Sequence, residues 1–254
     1  MSPSGSASPS TGLPPATPGP STPPDASSPA APTPSTEDPV APPSPTDVPS
    51  TQPRDGLVPV LTHVPTTDKV VFITIDDGYA RDPQVVALLA ARHVPVTPFL
   101  TVDAVRGHDA YFARIQSTTG QHVQNHSVSH PHLKGRSRAA QETEICGASS
   151  TFASWFGESP WLFRPPYGSY DDTTRQAAAA CGVSALVLWD VSLPHDVLRF
   201  ASGTTFRPGD ILLIHWRPGL ARDLPVALAA VAAAGLRVGA LQDYLPRPGH
   251  PGAT

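Results

Sequence analysis

The sequence predicts an α/β domain built around a mostly parallel sheet. Short apolar runs alternate along the chain with segments of helical periodicity. The runs are almost continuously apolar, which is typical of parallel strands that are covered on both faces. The chain shows no internal repeat, so we expect one core.

The chain of 254 residues divides at a break in composition near Arg54. Its first 53 residues contain 17 Pro, 11 Ser and 7 Thr, with no aromatic residue and no Lys or Arg. Such a segment has too few apolar side chains to offset the roughly 1–2 kcal/mol per residue that backbone ordering costs. We therefore expect residues 1–54 to be a disordered Pro/Ser/Thr-rich linker and residues 55–249 to be the folded domain.

Charge and hydropathy exclude several classes of partner. The formal charge of −4 is accounted for by four acidic residues in the linker, which leaves the folded part neutral and without a basic patch for nucleic acid. No apolar run approaches the roughly 20 residues of a membrane span. No signal region follows Met1, so the chain is either cytosolic or has its targeting segment upstream. We expect a monomer.

Each predicted element has a local signal. The first strand, at residues 70–75, is a run of β-branched and apolar residues, and Pro83 marks the start of the next helix, at residues 84–91. Gly182 caps the helix predicted at residues 172–181. Further strands are predicted at 96–102, 121–124, 161–164, 184–189, 211–215 and 238–241, and further helices at 109–117, 137–156 and 224–234.

The chain contains two cysteines, Cys146 and Cys181. This number excludes a disulfide scaffold and a cysteine-based zinc site. One disulfide is possible. The composition favours two buried free thiols instead, because cysteine is among the residues most often buried.

Carboxylates and imidazoles follow two of the predicted strands, at the end where parallel α/β folds bind ligands. Asp76 and Asp77 follow the first strand, where the alternative is a simple Asp-Gly turn. His126 and His130 are four residues apart, which places two imidazoles on one face of a helical turn. With one Asp they complete the three-ligand set of a catalytic divalent site, and the alternative is a pair of solvated loop histidines.

Two further strand ends carry Arg164 and His215. Arg164 begins the segment Arg-Pro-Pro-Tyr-Gly, and its guanidinium could orient a catalytic carboxylate. The prolines fix the loop, so the Tyr167 N–H could point at a developing oxyanion, although the segment could also be an ordinary rigid turn. His215 is a natural general acid because an imidazole titrates near neutral pH, and the alternative is a core histidine.

In this order, the segments TIDDG, HSVSH, RPPYG and LIH resemble the motifs of the polysaccharide deacetylases, the NodB-like domain of the fourth carbohydrate esterase family. The resemblance covers residues 70–241. It implies a distorted (β/α) barrel. It also implies hydrolysis of acetyl groups on a polysaccharide, most often the N-acetyl groups of hexosamines in peptidoglycan or a chitin-like glycan.

The resemblance also implies a metal site and a catalytic base. Asp77, His126 and His130 match the family's metal ligands, and a His₂Asp set favours Zn²⁺, with Co²⁺ as the second choice. Asp76, held by Arg164, would take a proton from the attacking water.

His215 would then protonate the leaving amine. The family usually has an Asp-Trp pair that supports this histidine, and this chain has none. Asp190 and Asp196 are the candidates for that role. We favour Asp190, because it directly follows the strand predicted to end at Trp189 and would lie at the same rim as His215.

Four residues are expected to contact the substrate. The Tyr167 N–H would bind the oxyanion, Leu213 and Trp189 would enclose the acetyl methyl group, and Trp216 would contribute an aromatic surface.

Two other functions compete with N-deacetylation. One is an O-acetyl esterase acting on acetylxylan, and the other is a non-catalytic glycan-binding wall protein, which would lose a ligand or the base. The family's substrates and the Pro/Ser/Thr linker favour an extracellular or wall-associated protein whose targeting segment is not in this sequence.

Overall fold

A computed structural model describes residues 54–245 and Arg247. The predicted linker, apart from Arg54, lies outside the described residues, and so does the predicted domain end at residue 249. The strands are β1 Val60–Leu61, β2 Val70–Asp77, β3 Thr97–Leu100, β4 Gln124–Asn125, β5 Leu162–Phe163, β6 Ala185–Val187, β7 Val191–Ser192, β8 Arg199–Phe200, β9 Ile211–His215 and β10 Arg237–Val238.

The helices alternate with these strands as the sequence predicts. They are α1 Pro83–Arg92, α2 Val102–Val105, α3 Asp109–Thr119, α4 Arg138–Phe156, α5 Asp172–Ala180, α6 Leu220–Ala233 and α7 Leu241–Tyr244, with one 3₁₀ turn at Pro166–Gly168.

The ten strands form one curled, half-barrel sheet in the order β1-β6-β5-β4-β3-β2-β9-β7-β8, and β10 pairs with β2. All the pairs are parallel except β7 with β8. The predicted α/β barrel is confirmed. Because the strands are parallel, their carboxyl ends meet at one rim of the half-barrel.

Strand β2 lies near the centre of this sheet. Its side chains alternate between the two faces, and this alternation determines which of its residues reach the site. Val71, Ile73 and Ile75 pack against the helices that cover the sheet, whereas Val70 and Phe72 belong to a second cluster on the opposite face. Side chains along a strand alternate between its two faces. Thr74 and Asp76 therefore continue the Phe72 face, where they meet polar side chains from neighbouring strands.

Two local predictions are wrong in this part of the chain. Residues 184–189 do not form one strand, because β6 ends at Val187 and the chain then crosses to start β7 at Val191. Cys146 and Cys181 are not free thiols, because they form a disulfide that joins α4 to the end of α5. The spacing of two cysteines in sequence does not reveal whether the middle of one helix lies against the end of another.

Among the described residues, no helix is both long enough and apolar enough to cross a membrane.

Candidate active site

The site is built around the end of β2. Asp76 pairs with Phe99 on β3 and with His215 on β9, so its carboxylate lies between two neighbouring strand ends. Asp77 follows with a φ of 77°, in the left-handed region that a non-glycine residue rarely adopts. The two adjacent carboxylates consequently face different partners.

Asp77, His126 and His130 converge into a compact cluster. The Nε2 atoms of the two histidines lie 3.2 Å apart, and they are 3.5 Å (His126) and 3.3 Å (His130) from Asp77 Oδ1. Ligand atoms about 2.0–2.2 Å from a tetrahedral Zn²⁺ are separated by about 3.3–3.6 Å, so this spacing fits one ion.

The protonation of His126 also suits metal binding. Its Nδ1 donates to the Arg164 carbonyl at 2.6 Å, which leaves the Nε2 lone pair facing the cluster. Asp77 Oδ1 is buried and accepts no hydrogen bond within the described part of the chain. An unpaired carboxylate oxygen facing imidazole nitrogens is the arrangement that a divalent cation completes.

The loop that carries the two histidines is held by side chains from β4 and α4. Glu144 Oε2 accepts from the amides of Val128 and Ser129 at 3.1 and 2.9 Å, and its Oε1 accepts from Ser129 Oγ at 2.7 Å. Asn125 Oδ1 accepts from the Ser127 amide at 2.8 Å. Glu144 therefore fixes the backbone between the two histidines.

Arg164 is fully buried and forms a hydrogen-bonded ion pair with Asp76. Its Nη1 donates to Asp76 Oδ1 at 2.7 Å and to Thr74 Oγ1 at 2.8 Å. Its other nitrogens donate to the carbonyls of Val187 and Leu188 at 2.9 and 3.0 Å. Because the guanidinium is fixed from several sides, the Asp76 carboxylate is held with its second oxygen 3.6 Å from His126 Nε2.

The Pro-Pro-Tyr-Gly turn lies beside the cluster. Tyr167 has a φ of 60° and is 60% exposed, and its ring packs edge-on to His130 at 4.6 Å between centroids. The Tyr167 N–H makes no hydrogen bond within the described residues. Trp189 lies beneath the turn, where its ring would be 3.4 Å from a Cβ placed on Gly168.

His215 ends β9 on the far side of Asp76. Leu213, two residues earlier, shares its face of the strand and is 5% exposed. Within the described residues the His215 ring makes no hydrogen bond and no ion pair with a carboxylate. No aspartate in this part of the chain therefore holds His215 by direct contact.

A sequence model of the family described as polysaccharide deacetylase matches residues 63–186. A chitooligosaccharide deacetylase of Sinorhizobium fredii is 31% identical over 174 residues, which cover 65% of this chain and 76% of that protein. The chain belongs to the polysaccharide deacetylase family.

Two further comparisons place this polysaccharide deacetylase domain among its relatives. The peptidoglycan-N-acetylglucosamine deacetylase of Bacillus cereus is 29% identical over 171 residues, covering 61% of this chain and 76% of that protein. The crystal structure of a family 4 carbohydrate esterase from Streptomyces lividans, in complex with acetate, superposes with a TM-score of 0.60 at 26% identity, covering 73% of this chain and all of that one.

The structure corrects the predicted position of Asp190 in this family member. Its amide donates to the Ile211 carbonyl, and the next residue, Val191, pairs with Leu212. Asp190 thus lies at the start of β9, four residues from His215, or about 13 Å at roughly 3.3 Å per residue. The error arises because Asp190 begins a strand rather than ending one, and its carboxylate contacts His63 at 3.1 Å.

Trp216 is also misplaced by the sequence analysis. It is 1% exposed, packs edge-on against Phe112 at 5.4 Å and donates from Nε1 to the Ile75 carbonyl at 3.1 Å. It follows His215 directly and so points to the opposite face of the strand, into the core. No face of its ring is open to a glycan.

The electrostatics of the cluster favour the deprotonated forms of Asp77 and His126. Burial would raise the pKa of Asp77, but the imidazoles of His130, His126 and His215 outweigh burial and hold that pKa below its ordinary value. Burial lowers the pKa of His126, despite the opposing pull of Asp76 and Asp77. A carboxylate and a neutral imidazole are the forms that bind a metal ion.

Sequence reasoning missed the two residues that hold the histidine loop. Asn125 had a signal, since it directly precedes the histidine motif. Glu144 had none, because it lies 14 residues beyond His130 in a helix with several other polar positions.

Proposed function

We propose that this chain is a divalent-metal-dependent deacetylase that removes N-acetyl groups from hexosamines of peptidoglycan or a chitin-like glycan. The observation that carries the proposal is the His₂Asp cluster with donor spacings of 3.2–3.5 Å, set directly beside the Asp76–Arg164 pair and His215. A glycan-binding protein without catalysis has no need of this combination.

Asp77, His126 and His130 would hold the metal, and their mixed N and O donors favour Zn²⁺ over a hard cation. When bound, such an ion supplies a Lewis acid that polarises an amide carbonyl and makes water acidic near neutral pH.

Asp76 would serve as the general base. Its Oδ1 is tied to Arg164, and its Oδ2 faces the cluster, where an attacking water would approach. The hydrogen bond from the buried guanidinium fixes the orientation of the Asp76 carboxylate and prevents its rotation away from the water. The carboxylate therefore takes a proton at a defined atom.

The Tyr167 N–H would donate to the acetyl oxygen as negative charge develops there, because the strained turn leaves that donor unused. His215, across Asp76 from the histidine pair, would give a proton to the departing nitrogen. Leu213 and Trp189 would supply the apolar surface for the methyl group.

A polysaccharide substrate is supported by the rim of the site. Tyr79 and Tyr167 are 59% and 60% exposed. Burial and the nearby Asp77 carboxylate raise the pKa of Tyr79, and the Tyr167 ring packs against His130. Exposed aromatic rings have apolar faces and polar edges, as sugar rings do. The relatives named for peptidoglycan and chitooligosaccharide deacetylation favour an N-acetyl group over an O-acetyl group.

We propose that the protein acts outside the cell or in the wall. The disulfide between Cys146 and Cys181 supports this location, because such bonds persist in oxidising compartments. Cell fractionation tests it, and a pool of protein confined to the cytosol would contradict it.

The substrate test is acetate release from peptidoglycan, chitooligosaccharides and acetylxylan, each with and without a chelator. We expect release from an N-acetyl substrate that the chelator stops, and that Asp76→Asn reduces without loss of metal. Release from acetylxylan alone would establish an O-acetyl esterase. No release from any substrate, with metal bound, would leave a glycan-binding protein.

A further inference from the structure

A second histidine–carboxylate cluster lies at the opposite end of the sheet from the deacetylase site. His63 Nδ1 is 3.1 Å from Asp190 Oδ2 and 3.4 Å from Asp210 Oδ1. One ligand atom from each of the three residues lies within 4.8 Å of the other two. The two distances from His63 are close to the donor spacings of the Asp77 cluster, and no step of the proposed reaction uses these residues.

Three separate segments contribute to this cluster. His63 lies between β1 and β2, Asp190 precedes β7, and Asp210 precedes β9. Asp210 is therefore five residues before His215, about 16 Å away at roughly 3.3 Å per residue. The two clusters are separate sites, at the amino and carboxyl ends of the same parallel strands.

The His63 ring is held in place by its surroundings. A Cβ on Gly209 would be 2.0 Å from the Val64 carbonyl oxygen and 2.7 Å from His63 Nε2, so only glycine fits beneath the ring. Gly209 also has a φ of 87°, which a side chain would strain. The Gly209 backbone therefore packs close to the Nε2 side of the ring, and Nδ1 faces the two carboxylates.

The charges of the cluster do not balance. Asp210 is 1% exposed, and the Asp190 side chain is 16% exposed. Among the described residues, the cationic side chain other than the imidazole that contacts either carboxylate is the half-exposed Arg207, whose Nη2 lies 3.5 Å from Asp210 Oδ1 and whose backbone N–H donates to Asp210 Oδ2 at 2.8 Å. Asp190, which is partly buried, has only the His63 imidazole beside it in this part of the chain, so the two carboxylates outnumber the guanidinium by one and a bound cation would balance the charge.

Solvent reaches the cluster through an open cavity of about 680 Å³, which His63 and Asp190 line together with Thr62, Thr66, Thr67 and Arg207. An ion can therefore enter without unfolding the sheet.

We propose that His63, Asp190 and Asp210 form a second divalent-cation site, which takes Zn²⁺ or a chemically similar transition-metal ion. One imidazole and two carboxylates are a zinc-type donor set. The bound ion ties the segment before β2 to the starts of β7 and β9, so its role is to stabilise the sheet. It is too far from Asp76 to act on the substrate.

The test removes the first site and counts metal at the second. The full-length His126→Ala/His130→Ala protein is loaded with Zn²⁺, desalted, and analysed by mass spectrometry of the metal. We expect one zinc per chain, and none after Asp190→Asn or His63→Gln is added. Asp172→Asn, an exposed aspartate on α5, is the matched control and should keep the zinc.

Thermal unfolding of the same variants gives a second reading. In the His126→Ala/His130→Ala background, free Zn²⁺ roughly 100-fold above its Kd should raise the midpoint by about 5–10 °C, and Asp190→Asn should abolish the rise. No zinc in the background, or zinc that survives both Asp190→Asn and His63→Gln, would overturn the proposal. The deacetylase assignment would stand in either case, because it depends on the other rim.

Discussion

The two ends of the central strands carry nearly the same donor atoms in different surroundings. At the carboxyl end, the Asp77 cluster lies beside a buried Arg164, a second carboxylate and His215. There, Asp77, His130 and Tyr167 adopt φ values of 60–77°. At the amino end, His63, Asp190 and Asp210 lie in ordinary backbone, and none of them has a positive φ.

The two clusters differ in what lies beside them. In each cluster one donor atom from each of three residues lies within 4.8 Å of the others. Beside the carboxyl-end cluster, the described residues also place the Asp76 carboxylate, His215 and a Tyr167 N–H that makes no hydrogen bond, and these are the groups that the proposed reaction needs. Strained backbone of this kind costs about 1–3 kcal/mol per residue and persists only where surrounding contacts enforce it. Here Glu144, Asn125 and the two prolines supply those contacts.

The largest predicted effect is a difference in deacetylase activity between variants at the two ends of the strands. His130→Ala should reduce acetate release by more than about 10³-fold, because the metal's Lewis acidity is worth several kcal/mol. His63→Gln should leave the rate per folded molecule unchanged. Steady-state kinetics on a chitooligosaccharide measure the rate of each variant. Equal losses in the two variants would contradict the assignment of catalysis to the Asp77 cluster alone.

The next effect isolates the base. Asp76→Asn should lower kcat by about 10²–10⁴-fold while the metal content stays at the wild-type level, since a missing proton acceptor does not remove a ligand. Asp190→Asn, which changes the same kind of group at the other end, should not lower kcat. A near-normal rate for Asp76→Asn would mean that another group accepts the proton.

A smaller effect concerns the helix that holds the histidine loop. Glu144→Gln should weaken zinc binding at the Asp77 cluster by about 10–100-fold, because glutamine has one acceptor oxygen where Glu144 uses two, one for the Val128 and Ser129 amides and one for Ser129 Oγ. Glu142→Gln is the matched control on α4, since among the described residues the Glu142 carboxylate pairs with Arg138 at the surface. Competition with a zinc chelator measures both affinities, and indistinguishable values would refute the positioning role.

The smallest effect is in stability against pH. The pKa of His126 is lowered in the folded state, so the unfolded chain binds a proton there first and stability falls as the pH drops below about 6.5. In the metal-free protein the free energy of unfolding should therefore fall as the pH drops through this range, until the pH passes the folded-state pKa of His126. Urea unfolding of wild type and His126→Ala measures the difference. A slope that persists in the variant would assign it to other histidines.

The sequence predicted most of the fold and the carboxyl rim because both depend on local signals. Apolar runs identify strands, and strands in parallel order bring their ends together, so the meeting of Asp77, His126 and Arg164 at one rim was predicted from their positions, whereas their roles were taken from the resemblance to the family. Asp190 was misplaced because the crossing between β6 and β7 has no sequence signal. The burial of Trp216 did have a sequence signal, because adjacent residues of a strand face opposite sides of the sheet and Trp216 directly follows His215.

The amino-end cluster could not be predicted in the same way. His63, Asp190 and Asp210 lie outside regular strands, and they are brought together by loops whose paths depend on the curl of the sheet. The disulfide is a similar case, because it depends on how α4 packs against α5.

The most direct test of the central claim is a zinc titration of chelator-stripped protein, with acetate release from a chitooligosaccharide as the readout. We expect no release before zinc is added, recovery that saturates as zinc fills the Asp77 cluster, and no recovery in the His126→Ala/His130→Ala protein. Full activity in the stripped protein, or recovery in that variant, would contradict it.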